Sequence, residues 1–264
     1  MRGRTRDIAL LVTAVAVLLA AVVGGYAAVR ARAAGSGAQQ ALAPVVMPSA
    51  SGAASASPAP QFRRWTVGVA RRPLTVYRRA DTGSPVVARL SMRTAADYPT
   101  IVLVDTISSK GALVWYRIWA PVKPNGTQGW VREGDLAFYT TASRIVIDLS
   151  RRTLSVYIKD QLVRSFRVAV GQPSLPTPTG HFYITEKLRP PYPNGPYGVL
   201  ALGTSAFQPR LSDWPGGGQV AIHGTNEPWL IGKAVSHGCV RMTNAAVKQV
   251  SSLVPTGSPV DIVK

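Results

Sequence analysis

Cysteine is almost absent from this 264-residue chain, which carries one, Cys239. No intramolecular disulfide can form, and a zinc site built on several cysteines is excluded. Histidine is nearly as scarce, with three copies: His181, His223 and His237. Acidic residues are few, 12 against 30 Lys and Arg, for a formal charge of +18. Charged residues make up only 16% and hydrophobic ones 46%, which is too apolar for a wholly disordered chain. The 24 glycines and 21 prolines favour a turn-rich β protein over a helical bundle.

The positive charge is spread along the chain rather than gathered in a block. Residues 1–60 carry 5 basic and 1 acidic residue, 61–140 carry 12 and 5, and 141–264 carry 13 and 6. Such a surface favours an anionic environment: nucleic acid, a membrane face or an acidic wall polymer. Nucleic acid is not expected as a partner, because the chain shows no recognition helix, zinc motif or RNA-binding signature.

Residues 1–7 hold three arginines, and Ile8–Val29 runs 22 residues without a charge. At about 1.5 Å rise per residue this crosses a hydrocarbon core of roughly 30 Å. Residues 1–33 therefore read as a signal anchor with a membrane helix over 8–29. A cleaved signal is the alternative, since Ala31-Arg32-Ala33 loosely fits a cleavage site. Residues 34–60 are uncharged and rich in Ala, Ser, Pro and Gly, and read as a disordered linker.

Two β-rich domains are expected after it. In 61–140, the segments 74–79, 86–90, 101–107 and 113–120 and a last strand after the Asn125-Gly126 turn make five or so short strands, suggesting a small barrel. In 141–264, three alternating strands are joined by turns at 149–152 and 159–161, and a strand follows over 181–185. Residues 189–219 read as a long loop, which in a compact domain is usually functional. A strand at 220–224 and one helix over 243–254 follow, capped by Thr243 or Asn244 and ended by Pro255. Strand 258–264 closes the sheet.

The chemistry gathers around the sole thiol. His223 lies 16 residues before Cys239 and His237 two before it. A cysteine nucleophile must be partly thiolate, and a neighbouring imidazole can take its proton and return it to a leaving amine. Gly238 has no side chain, so substrate and backbone can approach closely, and the amides of 237–239 could face a developing oxyanion. Spacing does not decide between His223 and His237 as the base. Metal binding by His223, His237 and Cys239 is conceivable but lacks a second cysteine or a clear carboxylate ligand. His181, on a strand edge, reads as structural.

Residues 144–264 resemble the L,D-transpeptidase catalytic domain. The match rests on His223-Gly224, then Ser236-His237-Gly238-Cys239-Val240-Arg241, with support from VIDLSRRTLSVY, from the VAVG-to-TPTGHFYI segment and from the closing LVPTGSPVDIV. The preceding 61–140 segment resembles bacterial Src-homology-3-like domains, through LTVYRRADTGSPVVARL, WYRIWAP and GWVREGDL. Its aromatics Trp115, Tyr116 and Trp130 read as barrel core. The fold class implied is mainly β: a small barrel, then a β-sandwich-like catalytic domain with one short helix, plus the membrane helix.

The resemblance implies Cys239 as nucleophile and His223 as general base and acid, with His237 as competitor. Gly238 and Gly224 would belong to the substrate or oxyanion pocket, and Ser236 and Arg241 would shape it or hold substrate carboxylates. It also implies acyl transfer on peptidoglycan stem peptides through a Cys239 thioester, with release of D-Ala and formation of 3→3 cross-links. No cofactor or metal is needed, since the peptide bond broken supplies the energy. Acylation by carbapenems is expected, and so is a single-pass location with the catalytic domain on the wall side of the membrane. Two readings compete: an L,D-carboxypeptidase, if water takes the acyl group, and a non-catalytic wall-binding protein.

Overall fold

The computed structural model describes residues 61–110, 112–211 and 216–264. The expected membrane helix and linker lie outside these residues. Among the described residues, no helix is long and apolar enough to cross a membrane.

The first lobe contains seven strands rather than five: β1 (Trp65–Ala70), β2 (Leu74–Tyr77), β3 (Val86–Leu90), β4 (Ile101–Lys110), β5 (Leu113–Trp119), β6 (Gln128–Arg132) and β7 (Leu136–Thr141). They form one antiparallel sheet in the order β3-β2-β6-β5-β4-β1-β7. Leu90 of one edge strand and Leu136, opening the other, join one core with Val76, Val102, Ile118 and Val131, so the sheet is strongly curled. Of the aromatics expected in this core, only Trp115 is fully buried. Tyr116 stacks on Phe138 with its hydroxyl turned to Glu133, and Trp130 lies half-buried beneath Arg117.

The second lobe is built from β8 (Ser143–Asp148), β9 (Thr153–Ile158), β10 (Gln161–Arg167), β11 (Val170–Gly171), β12 (Gly180–Leu188), β13 (Ala201–Phe207), β14 (Gln219–His223), β15 (Ala234–Ser236), β16 (Val240–Arg241), α1 (Asn244–Leu253) and β17 (Pro259–Val263). Eight of the strands run in the order β10-β9-β8-β17-β12-β13-β14-β16, while β11 and β15 pair separately. The sheet turns on β12, whose residues 180–183 pair with β17 and whose residues 184–188 pair with β13. The two halves face each other over one core: Ile145, Ile147, Leu154 and Val156 on one side, Leu202, Val220, Ile222 and Val240 on the other. Val247 and Val250 of α1 join the same core. Thr243 caps the helix, its hydroxyl accepting from the Ala246 amide at 3.2 Å.

Strand β13 falls inside the stretch read as a long loop. Six of its seven residues are buried, so both faces are covered and the apolar–polar alternation that marks a half-exposed strand is missing.

The lobes meet through specific polar contacts. The Tyr183 hydroxyl, fully buried on β12, lies 3.1 Å from the Ile101 carbonyl and 3.3 Å from that of Trp119. Asn125 exchanges two hydrogen bonds with the Phe207 backbone, and the Tyr139 hydroxyl donates to the Thr256 carbonyl.

Candidate active site

Strands β14 and β16 run parallel, with Ile222 beside Val240 and His223 beside Arg241. One residue back, the Ala221 amide donates to Cys239 Sγ at 3.4 Å. Since side chains alternate along a strand, Ile222 and Val240 point into the core while Ala221, His223, Cys239 and Arg241 share the other face. A cavity of about 250 Å³ opens there, and Cys239, His223, Ser236, His237 and Arg241 all border it.

His223 is 3% exposed, and its Nδ1 lies 2.6 Å from the Gly224 carbonyl oxygen. A carbonyl can only accept, so Nδ1 carries the proton and Nε2 presents a lone pair. Gly224 is thus the group that sets the imidazole tautomer. Burial lowers the His223 pKa to about 4; the Gly224 contact opposes this and the Arg241 charge adds to it. The ring is therefore neutral at physiological pH.

Cys239 is half-buried, and burial pushes its thiol above the ordinary range, against the pull of the Ala221 amide and of Arg241. Burial thus opposes the thiolate that a cysteine nucleophile needs. The arrangement suits proton transfer during attack rather than before it.

The turn that carries the thiol is held by Ser236. Its hydroxyl, in a side chain 1% exposed, donates to the Cys239 carbonyl at 2.5 Å and accepts from the Gly238 amide at 3.1 Å. Gly238 N–H, expected among the oxyanion donors, is here engaged within the turn. Gly238 has φ +116°, a conformation L side chains rarely adopt, and the buried Gln208 side chain closes the space beside it.

Arg241 donates from Nη1 to Glu227 at 3.0 Å, and its buried Nε has no partner among the described residues. His237 is exposed at the cavity rim. His181 borders a different cavity, where it holds Asp261 at 2.6 Å and packs edge-on against Trp119.

Three residues at this site escaped sequence reasoning. Tyr197 packs its ring 4.9 Å from His223. Asn244 Oδ1 accepts from the Val199 amide, and a Cβ on either Gly198 or Gly224 would overlap it, so the first residue of α1 pins the Tyr197 loop over the imidazole. Gln208, 1% exposed, ties Pro176 and Arg210 together behind Gly238. None is a rare residue type at a telling interval. Asn244 is visible in the sequence only as a candidate helix cap.

Residues 142–262 match the YkuD family, the L,D-transpeptidase catalytic domain. The chain is 42% identical over 123 residues to YkuD of Bacillus licheniformis, a protein carrying the L,D-transpeptidase name, covering 47% of this chain and 67% of that one. It is 27% identical over 228 residues to L,D-transpeptidase 1 of Mycobacterium tuberculosis, covering 80% and 85% respectively. Among solved structures, the LD transpeptidase LdtMt1 in complex with imipenem aligns with a TM-score of 0.39 at 20% identity, over 61% of this chain and 98% of that one.

Proposed function

Because this chain belongs to the L,D-transpeptidase family, transferases that act on peptidoglycan stem peptides, we propose that it forms 3→3 cross-links through a thioester on Cys239. The observation that carries the reading is the tautomer: Gly224 fixes the proton on His223 Nδ1 and leaves Nε2 as base, at the cavity that also holds the thiol.

Cys239 Sγ attacks the carbonyl carbon that precedes the terminal D-Ala, at the L-centre of a diamino acid, while its proton passes to His223 Nε2. The Cys239 amide is proposed as a donor to the oxyanion. As the C–N bond breaks, the imidazolium returns the proton to the D-Ala amine, which leaves. An amine of a second stem then attacks the thioester and gives its proton to His223; sulfur departs and takes that proton back. Arg241, anchored by Glu227, borders the pocket with a cation suited to a substrate carboxylate.

Carbapenems, as acyl donors, would trap the same thiol. The first lobe, proposed as a Src-homology-3-like module, spaces the site from a membrane anchor at residues 8–29, on the wall side. If water replaced the amine, the product would be a trimmed tripeptide, and the enzyme a carboxypeptidase. The test is incubation with a disaccharide-tetrapeptide and mass spectrometry of the products. Dimer formation, abolished in Cys239→Ala with the fold intact, is expected. Tripeptide alone would favour hydrolysis, and full activity in Cys239→Ala would remove the mechanism.

A further inference from the structure

A single cross-strand row leads away from the thiol. Glu186 of β12 pairs with Gly203 of β13, and Gly203 pairs with Ala221 of β14, whose amide holds Cys239 Sγ. Directly opposed residues on antiparallel strands put their side chains on one face. Glu186, Gly203 and Ala221 accordingly all border a cavity of about 750 Å³ between the two lobes. Tyr197 and Gln219 border both this cavity and the one around Cys239. The two cavities thus adjoin at Tyr197 and Gln219, and the row passes from the one at the sulfur into a trough lined by two small residues and a carboxylate.

Glu186 is 4% exposed, yet among the described residues no cation pairs with it. It accepts a hydrogen bond at 2.6 Å from the Thr94 hydroxyl, which belongs to the other lobe. Arg89, Arg93 and Arg189 border the same cavity; Arg89 and Arg93 are turned to Thr75 and Asp97, and none of the three forms an ion pair with Glu186 among the described residues. Gly203 lets the carboxylate lie in the trough: a Cβ there would stand 2.9 Å from Glu186 Cγ and 3.0 Å from its Oε1. The side chain therefore leans across β13 in the direction of Ala221. A carboxylate buried without a cation is costly to maintain, and such charges are ordinarily paired or bind something.

We propose that Glu186 selects the acyl donor by receiving the ammonium group at the end of its diamino-acid side chain, while Cys239 attacks the carbonyl of the same residue. The assignment rests on the transpeptidase reading and extends it to substrate choice. Strands lie about 4.8 Å apart, so three steps along the row separate the Glu186 and Cys239 backbones by roughly 14 Å. The lean across Gly203 shortens the functional gap to roughly 10–14 Å on the same spacing. Attack needs about 3–3.5 Å between sulfur and carbonyl, and a charge-assisted N–H···O contact takes about 2.8 Å. The remaining roughly 4–8 Å suits an aminated chain of four or five carbons, with bonds of about 1.5 Å. A donor with an uncharged third side chain would leave the carboxylate unmatched, so the site discriminates against it. Thr94 acts as a positioning residue, through which the first lobe orients the carboxylate.

The test is the first half-reaction. Two tetrapeptide donors, identical except that the side-chain amine of the third residue is free or acetylated, are mixed with the full chain. Thioester formation on Cys239 is followed by intact-mass spectrometry. The wild type should prefer the free amine by about ten- to a hundredfold. Glu186→Gln, which retains the shape and the Thr94 contact, should bring that ratio close to one, Glu186→Asp should retain part of it, and Thr94→Val should reduce it. A thermal melt checks that each variant is folded, and Glu186→Asp with Thr94→Val carries the comparison if Glu186→Gln is not. An undiminished ratio in the folded variants overturns the assignment, as does a wild type that treats both donors alike. If the wild type forms no thioester with either, the transpeptidase reading itself fails.

Discussion

Replacing His223 by glutamine removes a ring that is 3% exposed and whose pKa is held down at about 4. In the unfolded chain the same ring titrates near its ordinary 6.5. Between these values the unfolded state takes up a proton that the folded state refuses. Stability fully present above pH 6.5 is therefore lost progressively as the pH falls toward 4. A gap of roughly 2.5 units at about 1.4 kcal/mol each makes this about 3 kcal/mol. Carboxylates titrate over part of the same range, so the quantity to follow is the difference between wild type and His223→Gln. Urea unfolding at several pH values between 7 and 4.5 supplies it. The difference should shift against the wild type by about 1.4 kcal/mol per unit below pH 6.5. On the proposed mechanism the same proton governs the chemistry: the rate of Cys239 acylation should hold steady from pH 7 to about 5 and fall by half near the His223 value. A stability difference that does not change with pH would refute the picture of a buried, neutral imidazole.

Ser236→Ala removes the hydroxyl that joins the Gly238 amide to the Cys239 carbonyl. Loosening the turn should slow thioester formation by about ten- to a hundredfold, because small displacements of a nucleophile are costly; a rate within about twofold of wild type on that scale would show that the turn holds without it. Tyr183→Phe strips the interlobe contact to the Ile101 and Trp119 carbonyls. It should destabilise the protein by about 1–2 kcal/mol in thermal or urea melts while activity per folded molecule stays level; no loss would mean that water satisfies both carbonyls.

What could be read in advance follows from residue type and exposure. The β8–β9 pair was visible because both strands alternate, and the turns on either side of β9 carry Arg152, Lys159 and Asp160 at positive φ. Strand β13 was hidden because burial on both faces lets Gly203, Thr204 and Ser205 stand where an exposed strand would show alternation. Cys239 and His223 stood out as rare residue types close in sequence, and the structure brings both to one cavity. Tyr197, Gln208, Asn244 and Glu186 did not stand out, since each is an ordinary residue whose place depends on pairing across strands distant in the chain. The upward push on the thiol has a related origin: burial, set by packing, outweighs the neighbouring amide and arginine.

The junction between the lobes is a single residue long. Strand β7 ends at Thr141 and β8 begins at Ser143, and Ala142 between them accepts a hydrogen bond from the Lys159 amide at 2.8 Å. That leaves no slack for a hinge. A load applied to the first sheet is delivered directly to β12 and the strands beside it. Severing the chain here would expose a raw flank around Tyr183, so the second half alone is a poor stand-in for the intact enzyme.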